Sequence, residues 1–323
     1  MIRDNLLNIQ PSEYKDVLNE VFFYEDKLLL SEPNDGVIDV NKITSIETGR
    51  HIVKVEGTTF EILYINNGNS DRLFIVLMGS RMLKYPEFKR WSWGNTINAN
   101  ILYVADPNYK NEGSAETAFY IGYRRELIEL INKFKEYNKV LDENLYFYAS
   151  SAGGITAIHI SPHFKNCNVI TINSHIQISP FKLAELERKN SEEYKREKEF
   201  DEDFWDNKDI LLNNKNAKYT FAINIESKWD MTYTSMLEDA LGTKFQYGIN
   251  KIDNIGMWMY QRDPITPEGH PHSAQDNRIF YLPLEEFHDR FIKNDEKITD
   301  YDRYMYFIIG ELYSDKYRKI KVK

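Results

Sequence analysis

Apolar residues predominate in five runs in the middle of the chain, each about as long as one β-strand. The runs are 73–78, 101–105, 145–149, 169–172 and 219–225. Continuous apolar runs of this length are typical of strands that are buried on both faces of a sheet. Each run ends in small or polar residues, so side chains capable of chemistry are expected where the strands end.

Stretches with helical spacing lie between these runs. Residues 115–137 place apolar side chains on one helical face, at Ile121, Leu127, Leu130, Ile131 and Phe134. Residues 153–159 are expected to begin another helix. The alternation of buried strands and helices predicts an α/β fold, with a mostly parallel sheet and helices on both faces. Such sheets bind ligands at the carboxyl ends of their strands.

Two regions depart from this alternation. Residues 1–70 read as a β-rich extension, in which the alternating segments 51–55 and 58–65 form a hairpin. Residues 181–216 are rich in Lys and Glu and predict a helical insertion, which is either a solvated helical pair or a cap over the active site. The predicted organisation is therefore an N-terminal extension followed by one α/β domain, 71–323, that contains the insertion.

The segment after the third apolar run carries the most specific motif of the chain. It reads Ala149-Ser150-Ser151-Ala152-Gly153-Gly154, close to the Gly-x-Ser-x-Gly turn that holds a nucleophilic serine between a strand and a helix. Ser151 is the predicted nucleophile, and Ser150 is the alternative. The N–H of Ala152 is expected to stabilise an oxyanion, because the following helix directs its free amide groups there. A tight strand-to-helix turn and a phosphate-binding turn are the competing interpretations.

The other members of such a site follow the serine in the order acid, then histidine. Asp230, after the fifth apolar run, is the predicted acid; Glu226 is the alternative, and a helix N-cap is the competing role for Asp230. His270 is the predicted base, with His272 as the second choice. The two histidines are spaced like metal ligands, but no metal is predicted, because a metal site would leave the serine turn unexplained.

A second oxyanion donor is expected in the loop after the first apolar run. Gly79 follows that run directly and is the predicted donor. A glycine at this position is equally compatible with a plain turn.

Composition narrows the class of protein. The chain has 323 residues, a formal net charge of −9 and one cysteine. The acidic balance argues against nucleic acid as a partner, and a single cysteine excludes an internal disulfide. The first residues lack the apolar core of a signal peptide, and no apolar run approaches the roughly 18 residues that span a bilayer. A cytoplasmic location without a transmembrane segment is therefore expected, and the oligomeric state stays open.

Several short motifs occur in an order that resembles a known family. They are residues 88–93, 106–107, 119–122, 150–154, Asp230 and 269–271. In this order they resemble α/β-hydrolase-fold proteins of bacterial capsular polysaccharide biosynthesis. These proteins are similar to capsule O-acetyltransferases and to the accessory secretion proteins that modify glycans on serine-rich adhesins. The resemblance covers roughly residues 70–285, and it departs from the family pattern at Ala149 and at residues 173–175, where Asn-Pro-Gln is expected.

The resemblance implies a function. It implies acetyl transfer from acetyl-coenzyme A to a sugar hydroxyl of a capsular or surface polysaccharide. Arg81 is a candidate contact to the phosphates of coenzyme A, Trp93 and Trp229 are candidates for a sugar-binding platform, and His175 is expected to line the pocket. A carbohydrate esterase that uses water as acceptor, and an inactive hydrolase-fold scaffold in glycan export, are the alternatives.

Overall fold

A computed structural model describes residues 36–68, 71–77, 79, 88, 99–110, 119–261 and 270–273. Ten strands in these residues form one sheet. They are Val37–Asp39 (β1), Gly49–Val55 (β2), Thr58–Ile65 (β3), Leu73–Leu77 (β4), Asn100–Val104 (β5), Leu145–Ser150 (β6), Asn168–Ile172 (β7), Lys218–Asn224 (β8), Gly248–Ile252 (β9) and Ile255–Tyr260 (β10).

The order of the strands places a switch point in the middle of the sheet. The order is β1-β2-β3-β5-β4-β6-β7-β8-β10-β9, and β4, β5, β6, β7, β8 and β10 are mutually parallel. β3 is antiparallel to β5, and β9 is an antiparallel edge strand. β5 and β6 lie on opposite sides of β4, so the chain changes its direction across the sheet there. Open α/β sheets bind ligands at the carboxyl ends of the strands beside such a point.

Both faces of the central strands are buried. In β4, Leu73, Ile75 and Leu77 belong to one hydrophobic cluster, whereas Phe74 and Val76 belong to a second cluster on the opposite face. This burial confirms the prediction of strands drawn from continuous apolar runs. The predicted hairpin is confirmed as β2 and β3, and these strands join the main sheet through the pairing of β3 with β5.

Six helices accompany the sheet in the described residues. They are Arg124–Asn138 (α1), Ala152–Ile160 (α2), Pro180–Lys189 (α3), Glu192–Phe200 (α4), Lys208–Asn213 (α5) and Lys228–Leu241 (α6). α1, α2 and α6 contribute to the cluster that contains Leu73. None of the six is long and apolar enough to cross a membrane.

The helix predicted from residue 115 begins later than expected, at Arg124. Tyr120 and Gly122 have φ angles of 53° and 79°, in the left-handed region that a right-handed helix cannot include. Residues 119–123 form turns instead. The apolar spacing remains correct within the helix, because Leu127, Leu130, Ile131 and Phe134 are all buried. Full burial of each such side chain stabilises the folded state by about 2 kcal/mol, before the loss of conformational entropy is subtracted.

The predicted insertion consists of α3, α4 and α5, which lie between β7 and β8. Leu186 of α3 and Tyr194 of α4 pack in a cluster with Ile155 of α2. An ion pair also joins the insertion to α1, with Arg124 Nη1 3.2 Å from Glu197 Oε1, and both side chains are almost completely buried. The insertion is thus anchored on α1 and α2.

The parallel central strands, the antiparallel β3 and the serine turn that follows β6 make this fold α/β-hydrolase-like. The predicted fold class is confirmed. The segments that connect β4 to β5 and that follow residue 273 lie largely outside the described residues.

Candidate active site

Ser151 lies in a strained turn between β6 and α2. Its backbone has φ 53° and ψ −129°, a conformation that residues with a Cβ atom rarely adopt. Such strain persists only where neighbouring structure enforces it, and it is concentrated at functional sites. Here the Ser151 N–H donates to the carbonyl of Ile172 at 3.2 Å, and the Ser174 hydroxyl donates to the Ser151 carbonyl at 2.9 Å. The end of β7 therefore holds the turn.

Small residues are required around this turn because neighbouring segments approach it closely. A Cβ atom added to Gly154 would lie 1.5 Å from Ser174 Oγ, which is an impossible contact. A Cβ atom added to Gly79 would lie 3.0 Å from the carbonyl oxygen of Ser150 and 3.7 Å from Ser151 Cβ. Gly79, the predicted second oxyanion donor, is thus placed directly against the serine turn.

The side chain of Ser151 is hydrogen-bonded to a histidine. Ser151 Oγ lies 2.8 Å from His272 Nε2, and His272 Nδ1 lies 2.6 Å from Asp230 Oδ1. With the proton on Nδ1 donated to the carboxylate, Nε2 is free to accept the serine proton, which is the arrangement of a Ser-His-Asp triad. The structure thus brings together Ser151 and Asp230 of the predicted set.

The choice of His270 as the partner of Ser151 is wrong. His270 is exposed, and its Nδ1 accepts a hydrogen bond from the backbone N–H of His272 at 3.1 Å. The chain turns at residues 271–273, and two asparagines at strand ends hold this turn. Asn173 Nδ2 donates to the His272 carbonyl at 2.7 Å, and Asn224 Nδ2 donates to the Pro271 carbonyl at 3.0 Å. These contacts place His272, the second choice, against the serine.

Asn173 and Asn224 are site residues that the sequence interpretation missed. Asn173 directly follows the buried strand β7, and Asn224 is the last residue of the buried strand β8. A polar residue at the carboxyl end of a buried strand is the sequence signal that could have identified both. Asn173 also has a left-handed backbone, with φ 44°, which asparagine tolerates better than most residues. Its side-chain oxygen accepts a hydrogen bond from Tyr260 at 2.8 Å, which ties β10 to the same cluster.

Asp230 lies in the first turn of α6 but does not cap it. Ser227 is the N-cap, and its hydroxyl accepts a hydrogen bond from the Asp230 N–H at 3.3 Å. The Asp230 side chain is completely buried. The alternative acid, Glu226, is exposed and accepts a hydrogen bond from Gln261. Only Asp230 of the two therefore has a contact to His272 among the described residues.

Aromatic rings surround the His272 imidazole. His175 stacks on Tyr233 with ring centroids 4.2 Å apart, and the His175 and His272 centroids are 5.5 Å apart. Burial, with a further contribution from His272, lowers the pKa of His175 from 6.5 to about 4, so its imidazole is neutral near pH 7. Trp229 lies 6.0 Å from His272 between ring centroids and is 52% exposed.

The structure therefore places His175 and Trp229, two of the residues expected to bind substrate, beside the triad. The other two, Arg81 and Trp93, lie outside the described residues. Ala152 begins α2, and the first amide groups of a helix have no acceptor within it. Its N–H is thus available beside Ser151, as the predicted first oxyanion donor requires.

Two other groups of chemical interest are structural. Burial raises the pKa of the Cys167 thiol to about 12, so it carries no thiolate near neutral pH. His159 is buried in α2, where its imidazole contacts Asn207 at 3.3 Å and Asp201 at 3.2 Å. Both residues are buried, and the contacts of His159 join α2 to the helical insertion.

Fold and site together define an α/β-hydrolase-like protein that carries an aligned serine, histidine and aspartate. No protein-family model matches the sequence, and no curated protein matches it. Solved structures do match. The Glycosylation Associate Protein (Gap123) complex from Streptococcus agalactiae matches at 15% identity with a TM-score of 0.46, over 66% of this chain and 42% of that chain. This chain thus spans less than half of the Gap123 chain.

Two further matches are solved structures of a capsule O-acetyltransferase and of a peptidase. A mutant of the capsule O-acetyltransferase of Neisseria meningitidis serogroup A, in complex with CoA, matches at 13% identity and a TM-score of 0.44, over 67% of this chain and 87% of that chain. Acylaminoacyl peptidase of Pyrococcus horikoshii matches at 14% identity and a TM-score of 0.47, over 82% and 45% of the two chains. A capsule O-acetyltransferase, one of the kinds of protein that the sequence motifs resemble, is thus among the structures found. Identities this low show a likeness of fold alone.

Proposed function

We propose that this protein is a serine-dependent acyl-transfer enzyme that forms an acyl ester on Ser151. The observation that carries the proposal is the continuous hydrogen-bonded chain from Ser151 Oγ through His272 to the buried Asp230, with distances of 2.8 and 2.6 Å. An aligned chain of this kind favours an active protein over the alternative of an inactive hydrolase-fold scaffold.

The first half of the reaction transfers the acyl group to the enzyme. His272 Nε2 accepts the proton of Ser151 as its oxygen attacks the acyl carbonyl. Asp230 holds the Nδ1 proton and stabilises the imidazolium that forms. The Ala152 N–H, at the positive end of the α2 dipole, stabilises the oxyanion. His272 then returns the proton to the leaving group as the bond to the carbonyl carbon breaks.

The second half repeats these steps with an acceptor. His272 Nε2 takes the proton of the acceptor hydroxyl, which attacks the Ser151 ester, and the proton returns to Ser151 as it leaves. In the proposed function the acceptor is a sugar hydroxyl of a capsular or surface polysaccharide. The half-exposed Trp229 supports this choice, because its ring lies beside His272 and provides a flat apolar surface of the kind on which sugar rings pack.

Acetyl-coenzyme A is the proposed acyl donor. Its thioester is a substrate of the first half-reaction, and transfer of the acetyl group would release the free thiol. The support for this donor is the family resemblance of the sequence motifs. The basic residues proposed to meet its phosphates, Arg81 and its neighbours, lie outside the described residues.

Ester hydrolysis with the same triad is the second candidate function. The observation in its favour is that the His272 side chain retains 16% of its exposure to solvent. Water that reaches Nε2 can take the place of the sugar hydroxyl in the second half-reaction. An acyltransferase must exclude water from the acyl-enzyme.

Intact-mass measurement tests the proposal directly. Purified protein is incubated with acetyl-coenzyme A or with a small activated acetyl ester, and Ser151→Ala is the negative control. We expect one acetyl adduct that Ser151→Ala lacks. Thiol release that rises when capsular oligosaccharide is added supports transfer. Ser151-dependent ester cleavage without any thiol release supports the esterase and excludes acetyl-coenzyme A as the donor.

A matched pair of histidine variants tests the triad. His272→Gln should lower kcat/KM for the activated ester by a factor on the order of 10³ or more. His270→Gln changes a histidine two residues away that has no contact with Ser151, and we expect less than about a fivefold effect, as for a surface substitution. Equal losses in the two variants would contradict the assignment of His272 as the base.

A further inference from the structure

Three side chains of metal-ligand type converge beside the serine. His175, Asp230 and His272 each offer one ligand atom, and these atoms all lie within 4.8 Å of one another. They come from three separate elements: the segment after β7, the first turn of α6 and the turn at residues 271–273. The triad explains the contact between Asp230 and His272 but gives no role to His175.

Two polar atoms of this cluster have no hydrogen-bond partner in the described part of the chain. They are Oδ2 of Asp230, whose side chain is completely buried, and the buried Nε2 of His175. An unpaired buried polar atom destabilises the folded state, so each of these two atoms requires an explanation. An imidazole nitrogen and a carboxylate oxygen are both common ligands of Zn²⁺.

We infer that His175 Nε2, the Asp230 carboxylate and His272 Nδ1 form a zinc site whose occupation switches the serine site off. Two imidazoles and one carboxylate, with a fourth position for water, form a ligand set that suits Zn²⁺. Zinc bonds of roughly 2.0–2.2 Å require the ligand atoms to lie about 3.3 Å apart. The contact of 2.6 Å between His272 Nδ1 and Asp230 Oδ1 must therefore open if both atoms are to bind the ion.

Zinc at this position is incompatible with general-base catalysis. A metal bound to His272 Nδ1 displaces the proton from that nitrogen, and the neutral imidazole then carries its proton on Nε2. No net proton is released, since only the tautomer changes. An Nε2–H group cannot accept the proton of Ser151. Zinc also draws the Asp230 carboxylate away from the imidazole. Because neither change is covalent, removal of the metal by a chelator should restore activity.

The inhibitory consequence rests on the proposed function, but zinc binding itself does not. Binding is therefore measured without a substrate, by competition between the purified protein and a chromophoric zinc chelator. We expect one Zn²⁺ per chain, and Mg²⁺ or Ca²⁺ should not compete, because these ions prefer oxygen ligands. Ser151→Ala retains all three ligands and should bind Zn²⁺ with unchanged affinity.

His175→Gln removes one ligand and should weaken zinc binding at least tenfold. His270→Gln is the matched control, since this histidine is adjacent to the cluster but is not one of its members, and its affinity should be unchanged. Wild-type affinity in His175→Gln, or an equal loss in both variants, would overturn the zinc site. Thermal unfolding without metal establishes that each variant is folded.

A second measurement uses the wild-type protein alone, so it holds even if His175→Gln fails to fold. X-ray absorption at the zinc edge counts the imidazole ligands, and we expect two; one or none would overturn the site. In the activity assay, one equivalent of Zn²⁺ should abolish Ser151-dependent ester cleavage, and chelation should restore it. If no such cleavage is seen with or without metal, the proposed function fails, whereas the zinc affinity of Ser151→Ala still decides the site.

Discussion

Replacing Gly154 with alanine tests how closely the turn that carries Ser151 is packed. The new Cβ atom would lie 1.5 Å from Ser174 Oγ and 2.6 Å from Ser174 Cβ. Rotation of the serine hydroxyl relieves the first contact but leaves the second. Since ordinary contacts begin near 3.4 Å, α2 and the end of β7 must separate by nearly 1 Å.

The expected change in the free energy of unfolding of Gly154→Ala is the sum of three effects. Alanine in place of glycine in a helix stabilises by about 1 kcal/mol. Overpacking of a buried site costs about 1–3 kcal/mol, and loss of the Ser174 hydrogen bond to the Ser151 carbonyl costs about 1 kcal/mol. We expect Gly154→Ala to lower the free energy of unfolding by about 2 kcal/mol in urea denaturation. Displacement of Ser151 by about 1 Å should lower kcat/KM by a factor on the order of 100.

A second substitution tests whether Ser174 is the cause. Ser174→Gly removes both overlapping atoms, and the new Cβ would then meet Thr171 Cγ2 at an ordinary 3.4 Å. The double variant should therefore be more stable than Gly154→Ala alone, by about 1 kcal/mol or more. The matched control is Gly57→Ala, where a Cβ atom meets nothing within 4 Å, and we expect a change within about 0.5 kcal/mol. Wild-type stability and activity in Gly154→Ala, or a double variant no better than the single one, would refute this account.

Three further outcomes are expected. Asn173→Asp places a carboxylate against the His272 carbonyl that Asn173 now donates to, so kcat for ester cleavage should fall about tenfold or more through displacement of the imidazole. Glu197→Ala leaves the buried Arg124 guanidinium without its ion-pair partner and should cost about 3–5 kcal/mol in urea denaturation. Between pH 6.5 and about 4, His175 is protonated in the unfolded chain but not in the native chain. The free energy of unfolding should therefore decrease by up to about 3 kcal/mol as the pH is lowered through this range, and His175→Gln should abolish that part of the decrease.

Each of these outcomes has a control or a contrary result. An unchanged kcat in Asn173→Asp would show that the contact to the His272 carbonyl does not position the base. For Glu197→Ala, the control is Lys198→Ala in the same helix, at a position exposed to solvent, and similar losses in the two variants would contradict the role of the buried pair. A pH dependence that is the same in wild type and His175→Gln would contradict the lowered pKa of His175.

The strands that carry Ser151 and Asp230 could be predicted because their signals are local. A run of apolar residues identifies a strand buried on both faces, and a small or polar residue just after it marks the edge where ligands bind. β10 was missed, although its sequence Ile-Gly-Met-Trp-Met-Tyr is an apolar run of the same kind. Gly256 weakens its β-propensity, and the strand is defined by its pairing with β8 over all six of its positions.

The choice between His270 and His272 could not be made from the sequence for a related reason. Both histidines follow β10 at similar distances along the chain, and spacing alone does not say which one faces the serine. Asn173 and Asn224 decide it by hydrogen bonds to the turn at residues 271–273. These contacts span 99 and 47 residues of sequence, so no local pattern contains them.

The buried pair of Arg124 and Glu197 restricts how the helical insertion could be exchanged in protein engineering. Arg124 belongs to α1 of the main domain, but its guanidinium also donates to the Phe204 carbonyl inside the insertion, at 2.9 Å. A chimaera that receives the insertion of another protein would enclose this cation without a matching carboxylate. Grafts should therefore include residue 124 as part of the transplanted unit, or replace it with an apolar residue of similar volume.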